Sequence, residues 1–212
     1  MVKVQRPSPA AVSAGDCAMT GFRALACLVL LLPGLAGCAL SPQVVDINPV
    51  VTATDTVPAA AGSAALSLQV VDTRESGVIG QRGGVYSKTA TISTTEDVTG
   101  PIRRTLAAAL TAAGYRVVED DSAPVLRIEI AGLGYTIRED KLTRTITTVA
   151  RLKAAYAKGN RTYENTYTVT RNKEVLTAPG AIKNAELINA TLTAAFQRLL
   201  GDGQLFGLIN GG

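Results

Sequence analysis

The chain has 212 residues, with 21 Lys and Arg against 17 Asp and Glu, a formal charge of +4 and no histidine. Without histidine no Ser-His-Asp or Cys-His site can be built, and zinc and copper lose their commonest ligand. The small basic excess is far from the charge density that nucleic acid selects, so no nucleic-acid partner is expected.

Arg23 precedes an apolar run from Ala24 to Leu35. About a dozen residues suffice for the hydrophobic part of a secretory signal, whereas roughly 20 are needed to cross a bilayer. Pro33 and Gly34 would also break a helix there. The run ends in Leu35-Ala36-Gly37-Cys38, small residues that leave the backbone open to a peptidase, then a thiol able to accept a diacylglyceryl group. The expectation is a signal peptide over residues 1–37 and lipid attachment at Cys38. Each buried methylene contributes about 0.8 kcal/mol, and stable anchoring takes more than one acyl chain. The alternative is an ordinary signal with a chance cysteine, which the placement of Cys38 at the end of the apolar run disfavours. The leader is long and carries Pro7, Pro9, Asp16 and Cys17, so that Met19 competes with Met1 as the start.

Cleavage before Cys38 leaves 175 residues, enough for one domain. It removes three positive charges (Lys3, Arg6, Arg23) and one negative (Asp16), which takes the formal +4 to +2. Cys17 and Cys27 go with the leader, so no disulfide can form inside the mature chain.

The Pro-, Thr- and Val-rich stretch that follows reads as a lipidated flexible tether over 38–63, with one short extended piece at Gln43 to Ile47. The domain is expected over 64–212. Leu66, Leu68 and Val70 alternate as in a strand closed by Asp72-Thr73-Arg74. Gly77 to Gly84 reads as a glycine-punctuated loop, and Val85 to Ser93 as a short returning strand. Ile102, Leu106, Ala109, Leu110 and Ala113 recur at helical spacing after Thr94 or Thr95, with Pro101 suited to a first turn and Gly114 as terminator. A strand at Tyr115 to Glu119 comes next.

Three long strands then form an antiparallel meander: Val125 to Arg138, Arg144 to Ala157 and Arg161 to Arg171, with Gly132 and Gly134 marking a bulge and Lys158-Gly159-Asn160 a tight turn. Asn184 caps a second helix to Leu200, whose stripe is Ile188, Leu192, Ala195 and Leu199. Gly201-Asp202-Gly203 ends it, before an apolar tail at Leu205 to Ile209. Together these predict an α+β fold: a two-layer domain, a mostly antiparallel sheet with two helices packed on one face.

The order Leu35-Ala36-Gly37-Cys38, Asp72-Thr73-Arg74, Ala112-Ala113-Gly114-Tyr115-Arg116-Val117-Val118 and Arg161-Thr162-Tyr163-Glu164-Asn165-Thr166-Tyr167 resembles the YajG-type lipoproteins of Gram-negative bacteria, over essentially the whole mature chain. That resemblance implies an outer-membrane lipoprotein facing the periplasm, consistent with Ala39 in place of the aspartate that retains such proteins at the inner membrane. It carries over one functional residue, Cys38. The glycine-rich loop departs from it.

Several constellations remain open. Gly80-Gln81-Arg82-Gly83-Gly84 offers amides and a guanidinium to a phosphate, but lacks the Gly-Lys-Ser/Thr ending of a P-loop and reads better as a surface loop. Asp72 with Arg74 suits a structural strand end. Glu119, Asp120 and Asp121 read as a solvated turn rather than a cation site, and no metal site is expected. Arg138, Lys141, Arg144, Arg171 and Lys173 fall at one end of the meander, either as a basic rim for anionic lipid or glycan or as a solvated rim diluted by Glu139, Asp140 and Glu174. Tyr163 and Tyr167 suit packing better than a sugar platform.

The overall expectation is a non-enzymatic interaction or assembly module with no catalytic residue and no cofactor, held to a membrane by its lipid and meeting an envelope protein partner. The rivals are a cell-envelope enzyme acting on peptidoglycan or lipopolysaccharide, with Glu129 and Glu164 as paired carboxylates, and a glycan-binding protein.

Overall fold

The computed structural model describes residues 41–51, 57–62, 64–84, 88–120 and 122–211. The expected signal peptide and Cys38 lie outside the described residues.

Strict alternation of apolar and polar residues makes three long strands: β6 (Val125–Glu139), β7 (Arg144–Lys158) and β8 (Arg161–Val175). They pair antiparallel in the expected order, with Leu126 opposite Tyr156 and Leu152 opposite Tyr167. The register shifts between Ile130 and Gly132, so the inward set passes from Ile128 and Ile130 to Tyr135. Gly159 closes the β7–β8 turn at φ +58°, a left-handed value that glycine adopts without strain.

The rest of the sheet uses the other edge of β6. β2 (Ala65–Asp72) lies parallel to its first half, from Ser67 opposite Val125 to Asp72 opposite Ile130, and β5 (Arg116–Val118) lies parallel to β2. β3 (Val78–Gln81) meets the second half at Gly80 opposite Tyr135, also parallel. β4 (Thr91–Thr94) runs antiparallel to β3, and β1 (Gln43–Val45) parallel to β4. One strand thus carries two short parallel groups on one edge and the meander on the other.

Three helices complete the fold of the described residues. α1 (Thr99–Ala112) packs on β2 and β5, α2 (Ala181–Leu200) on β7, β8 and β1, and α3 (Gly203–Asn210) on β8. Ile188, Leu192, Phe196 and Leu199 of α2 are buried against Ala150, Leu152 and Ala154 of β7 and their neighbours. A large apolar side chain fully buried in this way contributes about 1.5–3 kcal/mol, which holds the helix to the sheet.

The mostly antiparallel sheet with two helices is therefore corrected: among the described residues the sheet is mixed, with eight strands, four of its seven pairings parallel, and three helices. Parallel partners such as Ser67 and Val125 are joined through intervening helix and loop, which no local alternation reveals. The glycine loop holds β3. The apolar tail is α3, with Leu205, Phe206 and Ile209 buried and the Phe206 ring 5.6 Å from that of Tyr115. Asp97, rather than Thr94 or Thr95, closes the start of α1, accepting from Thr99 N at 3.0 Å and Gly100 N at 2.9 Å.

The stretch read as tether is also narrower than expected. Val45 and Ile47 are buried, Asn48 N donates to Asn189 Oδ1 at 2.7 Å, and Val50 N to Thr193 Oγ1 at 3.1 Å. Further along, Tyr115 OH donates to the Pro58 carbonyl at 3.0 Å, and Ala60 N to the Ala113 carbonyl at 2.9 Å. The chain enters the fold by Gln43.

A Cβ at Gly80 would stand 1.9 Å from the Tyr135 carbonyl oxygen, so β3 can approach β6 only through glycine. Gly207, inside α3, meets nothing within 4 Å. Gly80→Ala is expected to lower stability by about 1–3 kcal/mol, and Gly207→Ala to raise it by up to about 1 kcal/mol. Urea unfolding of the two variants checks both signs.

Candidate functional site

The end of the sheet where β6 turns into β7 gathers most of the basic rim. Glu139 is opposite Arg144, and Arg144 opposite Val175, so the 140–143 turn and the chain leaving β8 share that end. Arg144 Nε pairs with Glu139 at 3.1 Å and Arg138 Nη2 with Asp140 at 3.5 Å, both largely in water, where such pairs contribute about 0–1 kcal/mol. Among the described residues Lys141 and Lys173 have no acidic partner within salt-bridge distance. Arg171 is set back, opposite Thr148, and its Nη1 donates to the Ala190 carbonyl of α2 at 3.2 Å. The structure thus brings Arg138, Lys141, Arg144 and Lys173 together and turns Arg171 onto the helix.

Just inside this end lies a buried polar chain that the sequence did not announce. Asn184, read as a cap, sits fully buried in the first turn of α2, which begins at Ala181 after Gly180. Its Oδ1 accepts from Tyr135 OH at 2.9 Å, and its Nδ2 donates to Gln43 Oε1 at 2.7 Å and to the Pro179 carbonyl at 3.3 Å. Arg82, 8% exposed, donates to the carbonyls of Ser41 and Pro179, each at 3.3 Å. A turned Gln43 amide accepts from Arg82 Nε at 2.9 Å instead of from Asn184 Nδ2, so these two bonds to its oxygen are alternatives. Burial pushes the Tyr135 hydroxyl up to about 12, against the pull of the Arg82 charge. Arg82 therefore faces inward onto carbonyls and is not presented to a phosphate.

The carboxylates weighed for catalysis stand on the open sheet face. Glu129 Oε1 accepts from Arg127 Nε at 2.8 Å, and Glu164 Oε1 pairs with Lys153 Nζ at 2.7 Å. β7 separates them, with Lys153 opposite Glu129 and Ala155 opposite Glu164. The hydrogen bond to Glu164, and then its charge, push Lys153 upward. Each acid is engaged by a neighbouring cation, and a whole strand lies between the two.

Asp72 forms a two-point pair with Arg74, at 2.8 Å from Nε and 2.7 Å from Nη2, and Arg74 reaches Thr94 Oγ1 at 3.1 Å. The hydrogen bond from Arg74, against the opposing effect of burial, holds Asp72 below its ordinary value. This lashes the end of β2 to β4, the structural role expected. In the acidic turn Glu119 pairs with Arg103 and Asp120 caps Ser122 N at 2.9 Å, while Asp121 lies outside the described residues.

Tyr163 and Tyr167 point their hydroxyls into the fold, where both donate to Asp202 Oδ2, at 2.5 and 2.7 Å. Asp202 Oδ1 accepts from Gln204 N at 2.9 Å and Leu205 N at 3.2 Å. The residue read as a helix terminator is thus the cap of α3, legible in Asp202-Gly203-Gln204-Leu205 as an Asp one residue before a helix. Burial works to raise its pKa, but the bonds from Tyr163, Tyr167, Leu205 N and Asn165 outweigh it and hold the carboxyl at about 2. The same knot pushes Tyr167 upward, by burial first and then by its bonds to Tyr163 and Asp202.

Among the described residues no group of three His, Cys, Asp or Glu could hold a metal ion, and no helix is long and apolar enough to cross a membrane. The mixed sheet with its three helices is shared with protein XCC0632 from Xanthomonas campestris, at a TM-score of 0.54 and 16% identity over 80% of this chain and 99% of that one. A minor lipoprotein from Acinetobacter baumannii aligns at a TM-score of 0.46 and 17% identity, over 68% of this chain and 94% of its own. The chain belongs to a family of uncharacterized lipoproteins, whose model matches residues 51–210. No curated relative matches the sequence.

Asp202 is ionised in the folded chain at a pH where the unfolded chain, near its ordinary 3.8, is already taking up protons. Its stabilisation is complete above about pH 4 and is lost as the pH falls toward 2. Asp202→Ala is expected to cost about 1–2 kcal/mol near neutrality, and the gap from the parent to narrow toward pH 2. Urea unfolding at several pH values measures it.

Proposed function

We propose that this chain is an outer-membrane lipoprotein of YajG type, acylated at Cys38 and facing the periplasm, which works by contact with an envelope protein rather than by catalysis. Membership of a lipoprotein family supports the anchor, and Leu35-Ala36-Gly37-Cys38 supplies the residues that would carry it. The observation that favours contact over catalysis is the state of Glu129 and Glu164. Each is tied to a cation on an open sheet face instead of standing free across a cleft. The described fold is organised by structural knots at Asn184 and Asp202, which leave the polar outer face of β6–β8 as the surface on offer.

The anchor is tested by expressing the full precursor and Cys38→Ser in a Gram-negative host and separating inner and outer membranes. The parent is expected in the outer-membrane fraction, with two or three fatty acyl chains on its first mature residue by mass spectrometry. Cys38→Ser is expected to lose the acyl mass and leave that fraction. An unacylated parent, or a variant that fractionates unchanged, overturns the proposal.

A further inference from the structure

The chain enters the fold close to the proposed anchor. Ser41, whose carbonyl accepts from Arg82, is three residues past Cys38, a span of at most about 11 Å. The same guanidinium holds the Pro179 carbonyl, so the entry point lies beside the segment linking β8 to α2. Leu176 in that segment and Ile182 in the first turn of α2 flank Pro179, 78% and 82% exposed. Leu142, 87% exposed, is at the tip of the β6–β7 turn at the same end of the sheet. Val44 of β1, also exposed, lines one shallow groove with Ile182. Four of the six exposed large aliphatic residues among the described ones thus cluster around the point where the chain arrives. Single exposed aliphatics are ordinary, but a cluster marks a surface that is covered in use.

We propose that this end of the domain, carrying Leu142, Leu176 and Ile182 around Ser41, is a bilayer-contact face that seats the domain on the membrane holding its acyl chains. The inference rests on acylation at Cys38. The covalent reach selects lipid as the occupant: a thioether at headgroup depth brings Ser41 within one short extended segment of the headgroups, and its aliphatic neighbours with it. The charges fit the same surface. Arg138, Arg144 and Lys183 each pair with an acid, which lowers their demand for anionic lipid. Lys141 and Lys173 have none and can extend their ammonium groups among phosphates beside the inserted leucines. Contact is therefore led by apolar insertion, with anionic lipid in a secondary role. The Lys158-Gly159-Asn160 turn, about 45 Å away along β7, stays in the aqueous space.

The mature chain has no cysteine besides Cys38, whose sulfur acylation consumes, so one introduced cysteine takes a single label. Acylated full-length Leu142→Cys, Leu176→Cys and Asn160→Cys are purified, their acyl mass is recorded, and each is labelled with an environment-sensitive fluorophore. They are then reconstituted into vesicles of phosphatidylethanolamine and phosphatidylglycerol carrying a lipid quencher. Quenching at 142 and 176 is expected to exceed that at 160 at least twofold, and to persist when phosphatidylglycerol is replaced by phosphatidylcholine. Equal quenching at all three positions on acylated protein overturns the contact face and leaves the anchor standing. Absence of the acyl mass overturns both. Labels at 142 and 176 that are shielded in intact cells but unquenched on vesicles overturn the lipid assignment and give this end to a protein.

Discussion

The fold depends on one buried side chain, Asn184, which binds the entry strand to the longest strand and to the helix that covers the sheet. It accepts from Tyr135 on β6, donates to Gln43 on β1, and rises from the first turn of α2. An amide in such a place is favourable only if every polar neighbour is satisfied, because an unpaired buried group costs about 1–3 kcal/mol. Arg82 closes the chain from β3 by holding the Ser41 and Pro179 carbonyls. Residues from four distant stretches thus meet at one spot, and none of them is free to leave alone.

Under the proposed acylation of Cys38 this has a consequence for the membrane. A domain held by a long coil would sample many heights and orientations, whereas one that begins five residues after a lipidated cysteine can sample few. Gln43 is tied to Asn184, and Val45 and Ile47 are buried behind it, so the described fold begins five residues past the proposed anchor. The outer face of β6, β7 and β8, with Thr147, Thr166, Thr168 and Thr170, would under the proposed acylation be presented in few orientations to the bilayer, which lowers the ordering cost of meeting a partner.

The sequence was most legible where the pattern is local. The meander strands carry a period of two over many residues, and their expected ends fall within a few residues of those observed. The helical stripe of Ile188, Leu192, Ala195 and Leu199 is equally plain. β1, β3 and β4 are three or four residues long: β1 falls in the expected extended piece at Gln43 to Ile47 and β4 overlaps the expected strand at Val85 to Ser93, while β3 lies hidden in the glycine loop. The strands β2 and β5 were legible as strands, but the parallel pairings join residues far apart in the chain and so left no local trace. α3 is only eight residues long, and Leu205 to Ile209 within it carries no polar residue to mark a helical face, while its cap, Asp202, follows closely on the preceding helix and so resembles a terminator. Among the rim residues, the positions of Arg138 and Arg144 follow from the turn, but the inward reach of Arg171 to Ala190 depends on where α2 crosses.

The central claim, that the fold begins at Gln43 and leaves only a short leash to Cys38, is tested most directly by amide hydrogen exchange on the full-length protein. The Asn48 and Val50 amides, bonded to Asn189 and Thr193, are expected to exchange orders of magnitude more slowly than a free peptide and to lose that protection only with α2. Exchange at the free-peptide rate from 43 to 50, with α2 still protected, would contradict it.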